Sequence, residues 1–369
     1  MLGLTLAACA LWLTITLLPW RPWATSESLD ALVPDEPGAF SDTTILIPAR
    51  NEADVIAPTL TAAAKQGTGV RVILVDDHSI DDTVSNAQRL ALRNLRIIAS
   101  ERLPSGWTGK LWALEQGRKH VDTEYLLLLD ADIVLAPGTL AALRAKMDLE
   151  DKQLVSLLAE LSMHGFWGGL LLPAFVYFFK LLYPFRLANS EAGLVAAAAG
   201  GCILTRTQVL ESIGGFGSIK NALIDDCALA RRVKSTGARI WVGLTHSAKS
   251  TRPYPTLATI WNMVARTAFA QLLYSNVLLL VCTATLVLAF LVPVIGIAFF
   301  PSLTSAISVA TVLVMLCTYS PVLRYYRMPY YRALGLPFAG ALFAAMTWTS
   351  ALRHWLGKGA IWKGRSYTK

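Results

Sequence analysis

The sequence predicts an α/β protein with a doubly wound, mostly parallel sheet and with membrane helices at both ends. Between residues 43 and 129, short apolar runs typical of strands alternate with helical patterns, as in βαβ units. With 369 residues, 54% of them hydrophobic, and a positive mean hydropathy, the chain is too apolar to be wholly soluble. Its longest apolar stretches lie at the start and in the last third.

The N-terminal region predicts an anchor followed by a linker. Residues 2–20 are free of charge and long enough to span a bilayer. They lack the positive start and the small-residue cleavage site of a secretory signal, so residues 1–20 are expected to be an uncleaved transmembrane anchor. Residues 21–42 carry Pro22, Pro34 and Pro37 among acidic and small residues and are expected to be a linker.

The elements of the sheet follow in order. The predicted strands are residues 43–47, ending at Pro48, and residues 70–75, 95–99 and 125–129. The predicted helices are residues 52–66, closed by Gly67, and residues 82–92 and 111–119. The last strand, with four leucines in five residues, has the composition of a strand buried on both faces.

The apolar segment 161–187 interrupts this alternation with Phe, Trp and Pro residues. A full membrane crossing there would separate Asp132 and Asp226 onto opposite faces. The segment is therefore expected to lie in the membrane interface, with Lys180 at headgroup depth; a buried helical hairpin is the alternative.

The region 276–352 is expected to be the C-terminal membrane region. Residues 277–300 and 303–319 are predicted to form a transmembrane pair around a turn at Pro301. Arg324, Arg327 and Arg332 then lie on the cytoplasmic side by the positive-inside rule. Residues 336–352 are expected to be re-entrant or interfacial, because a crossing would export the basic tail 353–369.

Charge and cysteine usage exclude several classes. The net charge is +8, but many Lys and Arg residues flank apolar segments, which indicates contact with anionic headgroups and not with nucleic acid. The five cysteines are scattered without metal-type spacing, so neither a disulfide framework nor a zinc site is expected.

Two carboxylates, Asp130 and Asp132, follow the buried strand 125–129 directly. The carboxyl ends of strands in open α/β sheets are where ligands bind. Two hard oxygen ligands at such an edge suit Mg²⁺ or Mn²⁺ shared with phosphate oxygens. An Asp-rich turn without a ligand is the alternative.

Polar side chains also follow the earlier strands. Arg50 and Glu52 come after the first strand, and Asp77 after the second, where they could grip a nucleobase and ribose. Asp81 or Asp82 is expected to cap the following helix. Lys110 lies at a helix start, where backbone N–H groups and an ammonium suit a diphosphate; a merely solvated lysine is the alternative.

A third group of residues lies in the second half of the globular part. Gly200 and Gly201 form a small-residue approach to a short strand. Asp225 and Asp226 open a helix, where a carboxylate either caps the helix or serves as a general base.

Together these motifs resemble family 2 glycosyltransferases of the GT-A fold, in order and spacing. The resemblance implies a Rossmann-like GT-A domain, with a mostly parallel sheet, over residues 43–275. The motifs that carry it are Pro48-Ala-Arg-Asn-Glu52, Val75-Asp-Asp77-His-Ser, Asp130-Ala-Asp132 and Asp225-Asp226-Cys-Ala-Leu229. By this resemblance the nucleoside is contacted by Pro48, Arg50, Glu52 and Asp77, and the diphosphate by Lys110. Asp130 and Asp132 contact the nucleotide, and Asp132 also binds the metal. The acceptor side is formed by Gly200, Gly201 and Asp225, and Asp226 acts as the base.

The chain departs from the family pattern in two places. The Glu-Asp pair of the family is Asp225-Asp226 here, which is a mild change. The Gln/Arg-X-X-Arg-Trp signature is reduced to Met263-Val-Ala-Arg266-Thr267. Arg266 is retained and could hold the leaving diphosphate, whereas the missing Trp argues against processive polysaccharide synthesis.

The membrane-flanked layout is similar to lipid-directed members, first the hopanoid-associated bacterial enzymes and then the carotenoid and ceramide glycosyltransferases. In the tail, Arg365 is expected either to reach back to the site or to anchor in headgroups. The resemblance implies an inverting transfer from a UDP-linked sugar to a lipid hydroxyl, with Mn²⁺ or Mg²⁺, at the cytoplasmic face of a bacterial inner membrane. A polyprenyl-phosphate glycosyltransferase, a chain-extending synthase and a non-enzymatic membrane scaffold are the alternatives.

Overall fold

The computed structural model describes residues 1–31, 38–300, 303–358, 360–363 and 365–367. The strands are β1 Thr43–Ala49, β2 Arg71–Asp76, β3 Leu95–Ala99, β4 Tyr125–Leu129, β5 Ile133–Leu135, β6 Leu154–Glu160, β7 Cys202–Arg206, β8 Ile240–Ser250, β9 Ala360–Trp362 and β10 Arg365–Tyr367. The helices are α1 Leu2–Leu17, α2 Ile56–Ala64, α3 Thr83–Arg89, α4 Gly109–Arg118, α5 Thr139–Leu149, α6 Gly165–Leu182, α7 Phe185–Ala188, α8 Thr207–Ser212, α9 Asp225–Lys234, α10 Leu257–Ala265, α11 Ala268–Gln271, α12 Asn276–Leu286, α13 Val292–Phe299, α14 Leu303–Tyr325 and α15 Leu336–Trp355.

The chain divides into two compact units. The first, which we call the sheet unit, comprises residues 27–162 and 187–252. The second, which we call the helical unit, comprises residues 1–26, 163–186 and 253–369. The segment 161–187 and the residues after 252, which the resemblance assigned to the glycosyltransferase domain, thus fall mostly in the helical unit.

An eight-stranded sheet forms the centre of the sheet unit, in the order β3-β2-β1-β4-β7-β6-β8-β5. The pairings of β1 with β2 and β4, of β2 with β3 and of β6 with β8 are parallel. The pairings of β7 with β4 and β6, and of β5 with β8, are antiparallel. The predicted strands β1 to β4 are confirmed, whereas β5 to β8 were not placed in detail from the sequence.

Both faces of the central strands are buried. In β4, Tyr125, Leu127 and Leu129 join one hydrophobic cluster, and Leu126 and Leu128 join the cluster on the opposite face. Successive side chains of a strand point to opposite faces, so burial on both sides requires an uninterrupted apolar run. This is the physical reason for the leucine run, and it brings Asp130 out at the carboxyl edge of the sheet.

Helix α2 begins later than predicted, at Ile56 and not at residue 52. The intervening residues form a turn whose backbone groups bind the loop after β2. The N–H of Glu52 donates to Thr83 Oγ1 at 2.8 Å, and the N–H of Ala53 donates to Asp81 Oδ2 at 3.1 Å. Hydrogen bonds to another loop therefore take the place of the first helical turn.

Part of the predicted linker 21–42 is paired with the sheet. Ser28 bridges Leu244 in parallel, and the Asp30 carboxylate accepts hydrogen bonds from Thr245 Oγ1 at 3.0 Å and from the N–H of His246 at 2.5 Å. Pro34 and Pro37 lie outside the described residues. The part from residue 27 to 31 therefore lies alongside β8 and is hydrogen-bonded to it, so it is not a free connection.

In the helical unit, four of the described helical segments are long and apolar enough to cross a membrane: Gly165–Leu182, Asn276–Phe299, Leu303–Tyr325 and Tyr330–Trp355. The predicted turn at Pro301 lies outside the described residues. The N-terminal helix α1 has 16 residues and ends at Leu17, before the expected end at residue 20. Pro19 explains this end, because a residue before proline disfavours helical geometry, and Leu18 is extended with ψ 129°.

Two contacts fix the helices of this unit. A π-helical turn, Val287–Leu291, separates α12 from α13, and the carbonyl of Ala289 in it accepts a 2.9 Å hydrogen bond from the buried indole of Trp12. Lys180 of α6 is buried within the protein, with its ammonium 4.1 Å from the ring centre of Phe185. A cation over an aromatic face is attracted by the ring, and the depth of Lys180 in a membrane stays a prediction.

Candidate active site

The carboxyl edge of the sheet gathers most of the predicted polar residues. Asp130 follows β4, and its N–H donates to the carbonyl of Gly201 at 3.1 Å. Because β7 runs antiparallel to β4, its first residue, Cys202, lies opposite Leu129, the last residue of β4. The Gly200-Gly201 pair is thereby placed beside Asp130.

Asp132 and Glu52 share one cation, Arg252. Arg252 Nη2 lies 3.0 Å from both carboxylate oxygens of Glu52, and Arg252 Nε lies 3.2 Å from Asp132 Oδ2. Ser250 Oγ donates to the same Asp132 oxygen at 2.8 Å. Sequence reasoning missed Arg252. The apolar run at residues 240–244, followed by polar residues, indicates a strand whose end could have been searched for such a residue.

Lys110 joins the two carboxylate motifs. Its Nζ lies 2.8 Å from Asp130 Oδ1 and 3.2 Å from Asp225 Oδ2. Burial opposes the charge of Lys110, but the nearby carboxylates outweigh it and raise the pKa of the ammonium. Burial also raises the pKa of Asp130, although Lys110 partly offsets this. Lys110 is thus an ion-paired cation at the start of α4 and not a solvated lysine.

Asp226 is the second residue of α9, and two backbone N–H groups hold its carboxylate. Gly200 N–H donates to Oδ2 at 2.8 Å, and Cys227 N–H donates to Oδ1 at 2.7 Å. Burial, together with the negative charge of Asp225, raises the pKa of Asp226 to about 6. A carboxylate with this pKa is mostly ionised at neutral pH and is a stronger base than an ordinary aspartate. The two roles predicted for Asp226, helix capping and general base, are therefore compatible, because its carboxylate accepts from backbone N–H groups and is also more basic than usual.

The backbone at Gly200 lies close to two charged side chains of the site. A Cβ on Gly200 would lie 3.3 Å from both Asp226 Oδ2 and Lys110 Nζ. Such contacts are tighter than ordinary van der Waals contact, so a side chain here would make a neighbouring charged group shift by a few tenths of an ångström. The small-residue approach predicted from the sequence therefore has a steric reason.

The loops after β1 and β2 are bonded to one another. Arg50 Nη1 donates to the carbonyl of Asp77 at 2.5 Å, and Ser100 Oγ donates to the buried Asp77 carboxylate at 3.2 Å. Pro48 lies in β1 opposite Val75 of β2. The four residues predicted to contact a nucleoside thus lie on adjacent strand ends of the sheet unit, Glu52 being held by Arg252.

Of the two residues predicted to cap α3, Asp81 and Asp82, only Asp81 binds the backbone at the start of this helix with its side chain. Asp81 accepts from the N–H of Ala53 and from both the N–H and the hydroxyl of Thr83. The Asp82 side chain makes no capping bond to the α3 backbone. Burial raises the pKa of Asp81, but these hydrogen bonds prevail and leave its pKa lowered. Asp81 is the structural residue, as expected for one of the pair.

Two predicted site residues belong to the helical unit. Arg266 follows α10 directly, and its N–H donates to the carbonyl of Asn262 at 3.2 Å. Arg365 begins β10, which pairs with β9, and its side chain lies outside the described part of the chain. Their roles toward the diphosphate and the site remain predictions.

The donor set fits a divalent cation shared with a ligand. Two ion-paired cations, Lys110 and Arg252, are surrounded by five carboxylates, those of Glu52, Asp130, Asp132, Asp225 and Asp226. Among the described residues, no three His, Cys, Asp or Glu side chains form a complete metal cage. Mg²⁺ and Mn²⁺ bound with nucleotides need only one or two carboxylates, and the excess negative charge favours such an ion.

Comparison with known proteins finds similarity over part of the chain. Residues 44–214 match the family model Glycosyl transferase family 2. The 4,4'-diaponeurosporenoate glycosyltransferase of Staphylococcus aureus (strain USA300) is 33% identical over 90 residues, which is 24% of either chain. The enzyme of the same name from Staphylococcus haemolyticus (strain JCSC1435) is 29% identical over 91 residues, 25% of this chain and 24% of the relative. The chain thus covers about a quarter of these relatives.

A solved structure extends the likeness to the fold. The mannosyltransferase PcManGT from Pyrobaculum calidifontis, in complex with GDP-Man and Mn²⁺, aligns with a TM-score of 0.57 at 18% identity. The alignment covers 92% of this chain and 99% of the mannosyltransferase. The predicted GT-A fold is confirmed.

Proposed function

We propose that the protein is a membrane-bound, inverting glycosyltransferase that moves a sugar from a UDP-linked donor to a lipid hydroxyl, such as that of a hopanoid. The observation that carries this proposal is the set of Asp130, Lys110, Asp225 and Asp226, joined by ion pairs and carboxylate–backbone hydrogen bonds at one edge of the sheet. The family 2 match over residues 44–214 supports the reaction class. The carotenoid-directed name of the relatives and the four long apolar helices support a lipid acceptor.

The chemistry follows from the base and the cations. Asp226, oriented by Gly200 and Cys227, would accept the proton of the acceptor hydroxyl. The acceptor oxygen would form its bond to C1 of the sugar as the bond from C1 to the diphosphate oxygen breaks on the opposite face. Inversion at C1 follows, because a single displacement needs one base and forms no covalent intermediate.

Lys110 would stabilise the diphosphate that leaves. It is already held by Asp130 and Asp225 at the start of α4, where the N–H groups of the first helical turn also favour an anion. Arg266 would add a second positive charge, as the resemblance implies. A Mn²⁺ or Mg²⁺ ion held by Asp132 and the nucleotide would supply further charge stabilisation to this leaving group.

The location follows from the substrates. A nucleotide donor is available in the cytoplasm, so the sheet unit would face the cytoplasm from a bacterial inner membrane. Three basic residues agree with this orientation under the positive-inside rule: Arg324 in the last turn of α14, Arg327 just after it, and Arg332 before α15.

The direct test is nucleotide release by membranes that carry the full chain. A panel of UDP- and GDP-sugars would be supplied with Mn²⁺ or Mg²⁺, with total lipid extract added or withheld. We expect one donor to be turned over in a lipid-stimulated manner and Asp132→Ala to abolish this turnover. Asp122→Asn, which changes an exposed carboxylate paired with Arg71, serves as the control and should retain activity.

Nucleotide affinity separates the remaining outcomes. No turnover, with metal-dependent nucleotide binding intact, would indicate that the acceptor is missing from the extract. No turnover and no binding would contradict the proposal and favour a membrane scaffold. Transfer to a polyprenyl phosphate that tolerates Asp226→Asn would favour the anionic acceptor, which needs less help from a base.

A further inference from the structure

Arg252 is the cation that lies beside the predicted metal carboxylate. It bridges Asp132 and Glu52, with Nε 3.2 Å from Asp132 Oδ2 and Nη2 3.0 Å from each Glu52 oxygen. The Arg252 side chain is 37% exposed, whereas those of Glu52 and Asp132 are 9% and 12% exposed. The Arg252 side chain is therefore the most solvent-accessible of the three.

The backbone around this ion pair is held independently of the guanidinium. The carbonyl of Asp132 accepts from the N–H of Thr251 at 2.8 Å and from its hydroxyl at 3.1 Å. Ser250 Oγ donates to the Asp132 carboxylate. If the guanidinium leaves, the end of β8 and Asp132 remain attached to each other, and only side-chain torsions of Arg252 have to change.

We propose that Arg252 is a mobile phosphate-binding residue of the donor site, in addition to the residues assigned above. In the ligand-free protein it neutralises Asp132 and Glu52. When a divalent cation and a nucleoside diphosphate occupy the site, its guanidinium moves from Asp132 to the phosphate oxygens. This inference rests on the proposed function, because it requires a metal-bound nucleotide as ligand.

The exchange has an electrostatic cause. Asp132 Oδ2 already accepts from Arg252 and Ser250, so a divalent ion at that oxygen competes with the guanidinium directly. Two cations close together also repel each other, and the diphosphate brings new negative charge to the site. A guanidinium presents a planar pair of donors that matches phosphate oxygens, so the phosphate is a favourable new partner.

Glu52 changes partner in the same step. In the ligand-free protein both of its carboxylate oxygens bind Arg252. Departure of the guanidinium presents this carboxylate to the hydroxyl or N–H groups of the nucleoside, which is the role that the family resemblance gives to Glu52. Arg252 would thus couple occupation of the metal position to recognition of the nucleoside.

The test measures two affinities that should change in opposite directions. The purified full chain is titrated with Mn²⁺ alone, followed by electron paramagnetic resonance, and with UDP or GDP at saturating Mn²⁺, followed by calorimetry. Arg252→Gln should bind Mn²⁺ alone about three- to tenfold more tightly, because the competing cation is gone. It should bind the nucleotide about tenfold or more weakly, because a charge-assisted contact is lost.

Two further variants make the result specific. Arg71→Gln removes an exposed arginine paired with Asp122 at the start of β2 and should change neither affinity. Arg252→Lys keeps the charge but loses the planar fork, so Mn²⁺ affinity should stay close to that of the wild type while nucleotide affinity falls at least about threefold. If Arg252→Gln does not fold, the split in Arg252→Lys decides the question.

The outcomes separate this inference from the proposed function. A wild-type protein that binds neither Mn²⁺ nor nucleotide contradicts both. A wild-type protein that binds them, with variants whose two affinities fall together or do not change, overturns the role of Arg252 and leaves the proposed function intact.

Discussion

Replacing Asp226 by asparagine should change the pH dependence of stability by an amount that follows from the structure. The pKa of Asp226 is raised to about 6 by burial and by Asp225, against about 3.9 for an unperturbed aspartate. The folded protein therefore binds this proton more tightly than the unfolded chain does. The resulting stabilisation is complete below about pH 4 and is lost as the pH rises through about 6.

The magnitude can be worked out between two accessible pH values. At pH 5 the wild type retains about 1 kcal/mol of stabilisation from this proton, and at pH 8 it retains about none. The asparagine side chain does not titrate, so the variant lacks this contribution at both pH values. The unfolding free energy of the wild type minus that of Asp226→Asn should thus rise by about 1 kcal/mol from pH 8 to pH 5. The amide in Asp226→Asn makes weaker hydrogen bonds than the carboxylate, but this loss is the same at both pH values and cancels in the comparison.

The measurement is thermal unfolding of the detergent-solubilised full chain, followed by tryptophan fluorescence at pH 5, 6.5 and 8. We expect the difference in midpoint between wild type and Asp226→Asn to move by about 1–2 °C across this range, given the unfolding entropy of a chain of this length. In the control Asp122→Asn, an exposed ion pair is removed, and the difference from wild type should move little. Parallel pH profiles for the wild type and Asp226→Asn would refute the raised pKa and with it the environment described for this carboxylate.

Activity gives a second measurement of the same group. As the base in the proposed reaction, Asp226 would be about 90% ionised at pH 7 and about 10% at pH 5, so kcat/KM should fall about tenfold from pH 7 to pH 5. Asp226→Asn should lower transfer by about two to four decades and leave nucleotide affinity nearly unchanged. Full activity in this variant would remove Asp226 as the base without affecting the stability argument.

Two further predictions concern neighbouring positions. Gly200→Ala should lower kcat about tenfold with little loss of nucleotide affinity, because the new Cβ would lie 3.3 Å from Asp226 Oδ2 and shift that carboxylate. Kinetics at saturating donor concentration would measure this, and an unchanged kcat would contradict it. Asp81→Ala should lower the free energy of unfolding by about 1–2 kcal/mol, because Asp81 accepts hydrogen bonds from Thr83 and from the loop after β1. Asp82→Ala should lower it by less, since the Asp82 side chain makes no capping bond. Equal losses in thermal unfolding would argue against Asp81 as the capping residue.

Much of the fold could be predicted from the sequence because it depends on local patterns. Apolar runs of strand length identify β1 to β4, and the run 125–129 is apolar throughout because both faces of that strand are buried. The same patterns place Asp77 and Asp130 at strand ends, since polar residues follow where a buried strand leaves the core. The long apolar helices after residue 276 are likewise visible from composition.

The tertiary structure decided which of these residues meet. Insertion of β7 antiparallel between β4 and β6 brings Gly200 to Asp226 and Lys110, and the end of β8 brings Arg252 to Asp132 and Glu52, which are 120 and 200 positions away in the chain. Hydrophobic periodicity determines that a strand forms, but it contains no information on which strand will be its neighbour. Ion-pair partners depend on that neighbour, so the sequence predicted the carboxylates of the site but not the arginine that binds them.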